Sequence, residues 1–132
     1  MIIREYNESD EEQVKELISN IRAELGRTPI EKWEDFHEFF VFFVVEENKN
    51  IIATAAMSKL DENTGEIKRV YTHADYRENG IATKLLKECE KIAKENKINK
   101  LLLFTQHAAG FYQKNGYFVR EIKDGTYMEK GL

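Results

Sequence analysis

Cysteine is nearly absent from this 132-residue chain, which carries only Cys89, so neither an intramolecular disulfide nor a thiolate metal cluster is available to it. Long apolar runs are missing too. The longest, FFVFFVV at 39–45, falls well short of the roughly 20 residues a membrane-spanning helix needs. The opening MIIREYNESDEE has acids where a secretory signal would have its apolar segment. The expectation is a soluble, cytoplasmic protein with no membrane partner. Positive charge is not in excess: 20 Lys and Arg stand against 24 Asp and Glu, a net charge of -4. That balance argues against a nucleic-acid surface and mildly favours a cationic partner. No glycine-rich loop followed by Lys-Ser or Lys-Thr occurs, nor G-x-G-x-x-G after a strand, so nucleoside triphosphates and dinucleotides are poor fits. His, Cys, Asp and Glu never group at metal-ligand spacing, and no metal is expected.

What is present reads as one domain spanning 1–132, with 42% hydrophobic residues to build its core. IIREY at 2–6 predicts a short strand, and Ser9 with Glu12 a capping box before Val14, Leu17, Ile18, Ile21 and Leu25 at helical spacing. Gly26 ends that helix. Thr28, Pro29 and Glu31 look like an N-cap, a first-turn proline and a box partner, predicting a second helix through Ile30, Trp33, Phe36 and Phe40. VFFVVEE and IIATAAMS, joined by NKN, form a hairpin, and GEIKRVYT after KLDENTG makes a third antiparallel strand. A helix over 80–95 follows, with Ile81, Leu85, Cys89, Ile92 and Ala93 on one stripe. In that stripe Cys89 reads as a small buried hydrophobe.

KLLLFT at 100–105 predicts a strand buried on both faces. The helix between two strands implies a parallel crossover. AAGFYQKN gives a short helix stopped by Gly116, and YFVREI with TYMEK closes the chain as a hairpin. The sum is a mixed α/β sheet with helices on both faces.

The segment YRENGIA stands between a strand and the helix of 80–95. A helix start leaves backbone N–H groups unpaired and is the positive end of the peptide dipoles, so Arg77 beside it makes a place suited to an anion. Gly80 lets backbone approach a ligand closely.

EIKRVYTHADYRENGIA at 66–82, FYQKNGY at 111–117 and the closing YMEK together resemble the GNAT superfamily of acetyl-CoA-dependent N-acetyltransferases, over nearly the whole chain. The resemblance implies a mostly antiparallel sheet of about seven strands in which the parallel fourth and fifth strands splay apart. It implies acetyl-CoA as co-substrate, its pyrophosphate wrapped by Arg77, Glu78, Asn79, Gly80, Ile81 and Ala82, with Thr83 just inside the helix. Val70, Tyr71 and Thr72 would pair with the pantetheine arm, and Tyr112 would point at the sulfur as general acid. Glu78 departs from the family habit, since glycine or a basic residue is common there and an acid repels a polyanion. Gln106 stands where many members carry asparagine.

An amine acceptor must lose a proton, and Glu66 is the candidate base, on the same side of its strand as Lys68, Val70 and Thr72 unless a bulge intervenes. Glu46 and Glu47 are the substitutes. His73 and His107 sit at strand-to-loop junctions and read as solvated, and His37 falls among the aromatics. The acceptor expected is a primary amine of a small molecule or a protein. In the family its pocket forms from the first two helices and the last hairpin, here with Trp33, Phe36 and Tyr127. A rival reading is a non-catalytic acyl-CoA sensor or interaction domain, because binding needs only residues 70–83. A homodimer is compatible with the sequence but not indicated by it.

Overall fold

The computed structural model describes all of residues 1–132. In chain order the elements are β1 (Ile2–Glu5), α1 (Glu11–Glu24), β2 (Val41–Glu47), β3 (Asn50–Lys59), β4 (Thr64–Thr72), α2 (Ile81–Glu95), β5 (Lys100–Thr105), α3 (Ala109–Lys114), β6 (Phe118–Ile122) and β7 (Thr126–Gly131). The seven strands form one sheet in the order β1-β2-β3-β4-β5-β7-β6. Every pair is antiparallel except β4 with β5. That parallel pair is short, matching only Thr64–Glu66 with Lys100–Leu102 before the two strands part. The expected mixed sheet, its parallel splay and the helices on both faces are all present.

Local chemistry explains most of the boundaries. Asn48 and Lys49 both adopt positive φ, the turn that matches the twist of a two-residue hairpin, and join β2 to β3. Helix α1 is entered not through Ser9 but through Asn7, which accepts from the Ser9 amide at 3.0 Å while its own N–H donates to Asp10 at 3.0 Å. Asp10 is also gripped by both terminal nitrogens of Arg4, at 2.7 and 2.8 Å, which ties β1 to the start of α1. Gly26, at φ +69°, closes the other end. Its N–H bonds to Ala23 O at 3.0 Å and the Arg27 N–H to Arg22 O at 2.9 Å, a Schellman pair that only a residue tolerant of left-handed backbone makes cheaply.

The helix predicted from Thr28 does not form. Thr28 O, which an N-cap would offer to the first helical N–H, instead accepts from the Arg22 guanidinium at 2.8 and 3.2 Å. Residues 28–35 run as irregular chain, and only Phe36–Glu38 make a single 3-10 turn. Trp33 and Phe36 still pack inward, ring to ring at 5.9 Å.

The two faces hold separate cores. Val14, Leu17, Ile18 and Ile21 of α1 cover Phe42, Val44, Ala56 and Tyr71. On the other face Ile81, Leu85, Leu86, Cys89 and Ala93 of α2 lie against the sheet with Tyr112, Tyr117 and Met128, each large side chain so buried contributing roughly 1.5–3 kcal/mol. Cys89 is fully buried and burial pushes its thiol up to about 12, as fits an inert packing residue. Strand β5 departs from expectation: Leu101 and Leu103 are buried, but Phe104 on the opposite face is 41% exposed. The missing second helix leaves that face uncovered, and a cavity takes its place.

Candidate active site

Strand β4 changes face partway along. Thr54 pairs with Tyr71 and Ala56 with Lys68, so two residues of β4, Arg69 and Val70, stand opposite Ala55 alone. Arg69 takes the positive φ of such a bulge, +54°, and its carbonyl is held at 2.7 Å by the fully buried Thr54 hydroxyl. Before the bulge Ile67 faces α2, leaving Glu66 and Lys68 toward α1. After it Val70 packs on the α2 side and Tyr71 on the α1 side. Glu66 is therefore on the opposite face from Val70 and Thr72, the exception that plain strand alternation allowed for. The sheet is the partition between them, and the splay of β4 from β5 is the opening through it.

On the α2 face a cavity of about 530 Å³ is lined by Val70, Thr72, Arg77, Gly80, Thr83 and Tyr112 among others. Its floor is the 78–83 segment. Glu78 and Gly80 are both left-handed, at φ +65° and +74°, and curl the chain into the first turn of α2. None of the amides from Glu78 to Thr83 donates to a backbone carbonyl or side chain, and no side chain caps the helix. A row of free N–H groups at the positive end of a 15-residue helix has the polarity that favours an anion. The segment therefore fits a pyrophosphate.

Arg77 does not reach into that row. Its Nε donates to Thr72 O at 3.0 Å and its Nη2 pairs with Glu24 at 3.1 Å, bracing the strand end against α1. Asn79 turns back on Tyr76 O and Arg77 O, at 3.2 and 3.0 Å, and shapes the loop without lining the cavity. Lys114 on α3 does line it, a cation that the sequence reading missed because it lies more than thirty residues downstream and only the crossover of β5 brings it back.

A second cavity of about 460 Å³ fills the splay and shares Val70, Thr72, Arg77, Ala108 and Tyr112 with the first. Tyr112 is 7% exposed, and its hydroxyl makes no hydrogen bond within the protein. Burial, with Cys89 and Tyr71 nearby, pushes the phenol well above its ordinary value and keeps it a neutral donor. The exposed His107 lines this slot as well.

The third cavity, about 550 Å³, lies on the α1 face and shares Arg27, Lys68, Arg69, Tyr71 and Phe104 with the slot. Glu66 lines it, with Lys68 at 3.7 Å and no hydrogen bond, so its oxygens are free to accept. Glu34 is differently placed. Burial opposes its ionisation, but two bonds of 2.8 Å from Arg69 and the charge of that guanidinium outweigh it and hold the carboxyl below its ordinary range. A carboxylate so satisfied is a poor proton acceptor. Glu46 is bonded to Arg4 at 2.9 Å and Glu47 lies 3.4 Å from the N-terminal amine, so both substitute bases are occupied at the far edge of the sheet. Trp33 and Phe36 belong to the α1-side core and Phe39 and Phe104 line the cavity in their place, with the Tyr127 ring tilted against Phe104 at 4.7 Å between centroids. His73 caps the 74–76 turn, accepting from the Asp75 amide, and His37 is exposed beside Tyr6.

A sheet parted between two parallel strands, with unpaired amides on one side of the gap and carboxylates on the other, defines a class: an α/β domain in which a passage through the sheet joins two cavities. Residues 3–117 match the family described as Acetyltransferase (GNAT) family, and the chain belongs to that family of acyltransferases. It is similar to the amino-acid acetyltransferase of Pasteurella multocida (strain Pm70), 32% identical over 84 residues, which are 63% of this chain and 19% of that protein. The chain thus spans about a fifth of the curated relative it matches. Its fold is similar to a GNAT-family acetyltransferase from Staphylococcus aureus Mu50, with a TM-score of 0.85, 24% identity and coverage of 99% of this chain and 98% of that one. It is equally similar in fold to N-acetylglutamate synthase from Neisseria gonorrhoeae in complex with coenzyme A and N-acetyl-glutamate, with a TM-score of 0.85, 16% identity and coverage of 99% of this chain and 35% of that one. No helix is long and apolar enough to cross a membrane.

Proposed function

We propose that residues 1–132 act as one N-acetyltransferase unit that moves the acetyl group of acetyl-CoA to a primary amine of a small molecule or protein. The observation that carries this is the passage itself: the unpaired amides of 78–83, the slot under Tyr112 and the cavity of Glu66 share walls in sequence. The Neisseria neighbour holds coenzyme A and N-acetyl-glutamate, and the Pasteurella relative is named for amino acids, which supports a small-molecule amine.

In this reading Glu78, Gly80, Ile81, Ala82 and Thr83 supply amides to the pyrophosphate, with Arg77 and Asn79 bracing the loop and Lys114 adding charge. Val70, Tyr71 and Thr72, which β5 leaves unpaired, run beside the pantetheine arm. The amine nitrogen attacks the thioester carbonyl carbon, the new C–N bond forms as the C–S bond breaks, and the thiolate leaves hydrogen-bonded to the Tyr112 phenol. Full transfer of that proton is uphill by about 2 kcal/mol for ordinary tyrosine and thiol, and more for a phenol pushed up by burial, so Tyr112 stabilises the developing charge instead of surrendering its proton. The amine's proton goes to Glu66, directly or through water. Much of the acceleration comes from holding the two reactants in line.

The test is release of free thiol from acetyl-CoA with a panel of amino acids, polyamines, aminoglycosides and peptides. Acceptor-dependent release establishes the transferase. Saturable binding of acetyl-CoA without release by any acceptor would make the chain an acyl-CoA sensor.

A further inference from the structure

The net charge of -4 mildly favours a cationic partner, but the acceptor cavity is balanced, with Glu34, Asp35, Glu38 and Glu66 against Arg22, Arg27, Lys68 and Arg69. Three of the four cations are already engaged. Glu34 is taken by Arg69, Glu66 lies beside Lys68, and Arg22 is spent on Thr28 O. Arg27 is the exception. It forms no salt bridge or hydrogen bond through its side chain, and its Nε is shielded from solvent with nothing to donate to. A shielded donor without an acceptor is costly, and on a cavity wall it favours an oxygen acceptor brought in by a ligand or by water.

The fold aims this residue deliberately. Arg27 is the position after the left-handed Gly26, its N–H fixed on Arg22 O at 2.9 Å, and the next carbonyl is clamped by the Arg22 guanidinium. Its place is at a junction, because it lines both the acceptor cavity and the slot, whereas Arg22, Asp35 and Glu38 line only the former.

We infer that the acceptor is a small α-amino carboxylate, held by its carboxylate on Arg27 and carrying a neutral or basic side chain. This rests on the acetyltransferase reading above. The nitrogen to be acetylated must enter the slot and the anion must sit on the slot's wall, so the two groups are close neighbours in the acceptor, as they are when they share one carbon. A planar guanidinium matches a carboxylate with two parallel bonds. The far end of the acceptor then meets Asp35 and Glu38, both exposed and free of cations in contact, and a second carboxylate there is repelled.

The experiment compares each standard α-amino acid with its own α-carboxamide, by thiol release at fixed acetyl-CoA, in the wild type and in Arg27→Gln. The acids should be favoured by at least about tenfold in kcat/KM, a margin in keeping with one charge-assisted bidentate contact. Arg27→Gln should collapse that preference, leave the KM for acetyl-CoA as it was and not lower the melting temperature, because the side chain it removes makes no bond. Asparagine and glutamine should outrun aspartate and glutamate. Carboxamides as good as the acids, an Arg27→Gln effect equal on both, or a rise only in the KM for acetyl-CoA would overturn the assignment of Arg27. Preference for aspartate or glutamate would overturn the reading of the rim. If no acceptor is turned over, the transferase reading fails on its own, and calorimetry with the same pairs on protein saturated with coenzyme A still decides. Heat with the acid, absent with the carboxamide and absent in Arg27→Gln, upholds the carboxylate site; no difference within the pairs sinks it.

Discussion

Tyr112 places a neutral phenol at the wall common to the coenzyme-side cavity and the slot, with no bond inside the protein to satisfy it. Its removal by Tyr112→Phe deletes one hydrogen bond to a developing thiolate, so kcat should fall by about 10–100-fold with the KM for acetyl-CoA little changed. Steady-state kinetics checks this, and unchanged kcat would take Tyr112 out of the chemistry. Because burial holds the phenol above its ordinary value, that fall should be the same from pH 6 to pH 9. Glu78 offers a second test. It sits at φ +65° on the floor of the same cavity, where a side chain costs about 1 kcal/mol in left-handed backbone and a carboxylate repels phosphate. Glu78→Gly should therefore lower the KM for acetyl-CoA several-fold and leave the melting temperature equal or higher. A higher KM would mean that the carboxylate contributes something other than repulsion.

Elements were legible where one physical rule governed them, and not where two competed. The stripe from Ile81 to Ala93 buries as its period requires, and the hairpins follow their turn residues. Thr28–Glu31 satisfied every rule for a helix start, yet Arg22, a turn away in space, takes the carbonyl that start needs. The Schellman end at Gly26 and the lost helix are thus one event, and it also exposes the face of Phe104 and orients Arg27. Gly26→Ala should then cost about 1 kcal/mol in urea-melt stability from the left-handed backbone alone, and should raise the acceptor KM more than the KM for acetyl-CoA. An equal rise in both would separate the turn from the acceptor cavity. The β4 bulge was only half legible: in EIKRVYT two polar residues, Lys68 and Arg69, and then two apolar ones, Val70 and Tyr71, interrupt the alternation, but the buried Thr54 hydroxyl that holds the bulged carbonyl comes from a neighbouring strand. Without it Glu66 and Val70 would share a face and the two substrates would not be kept apart by the sheet.

Across the whole molecule, the sheet edge at β1 is closed onto α1 by a half-buried charge cluster, the buried Asp10 with Arg4 and Glu46, and this sets the response to acid. The Arg4 hydrogen bonds, helped by the Asn7 amide against the cost of burial, hold the Asp10 carboxyl below its ordinary 3.8. A carboxyl depressed in the folded state binds its proton more readily when unfolded. Its contribution is complete above the unfolded value and is lost as pH falls through the folded one. Glu34, held low against its burial by Arg69, acts in the same sense. Urea midpoints should thus be flat near neutrality and drop steeply below about pH 4. Asp10→Asn keeps the shape but removes the ionised acceptor, so it should be less stable at pH 7 by about 2 kcal/mol, the worth of a charge-assisted bond, and its acid limb should be shallower. Once pH falls through the depressed folded-state value of Asp10 the two curves should converge, because the wild-type carboxyl is then protonated as well. Parallel curves with a constant gap would show that Asp10 stabilises the edge by shape alone, and that the acid limb belongs to Glu34 on the other side of the passage.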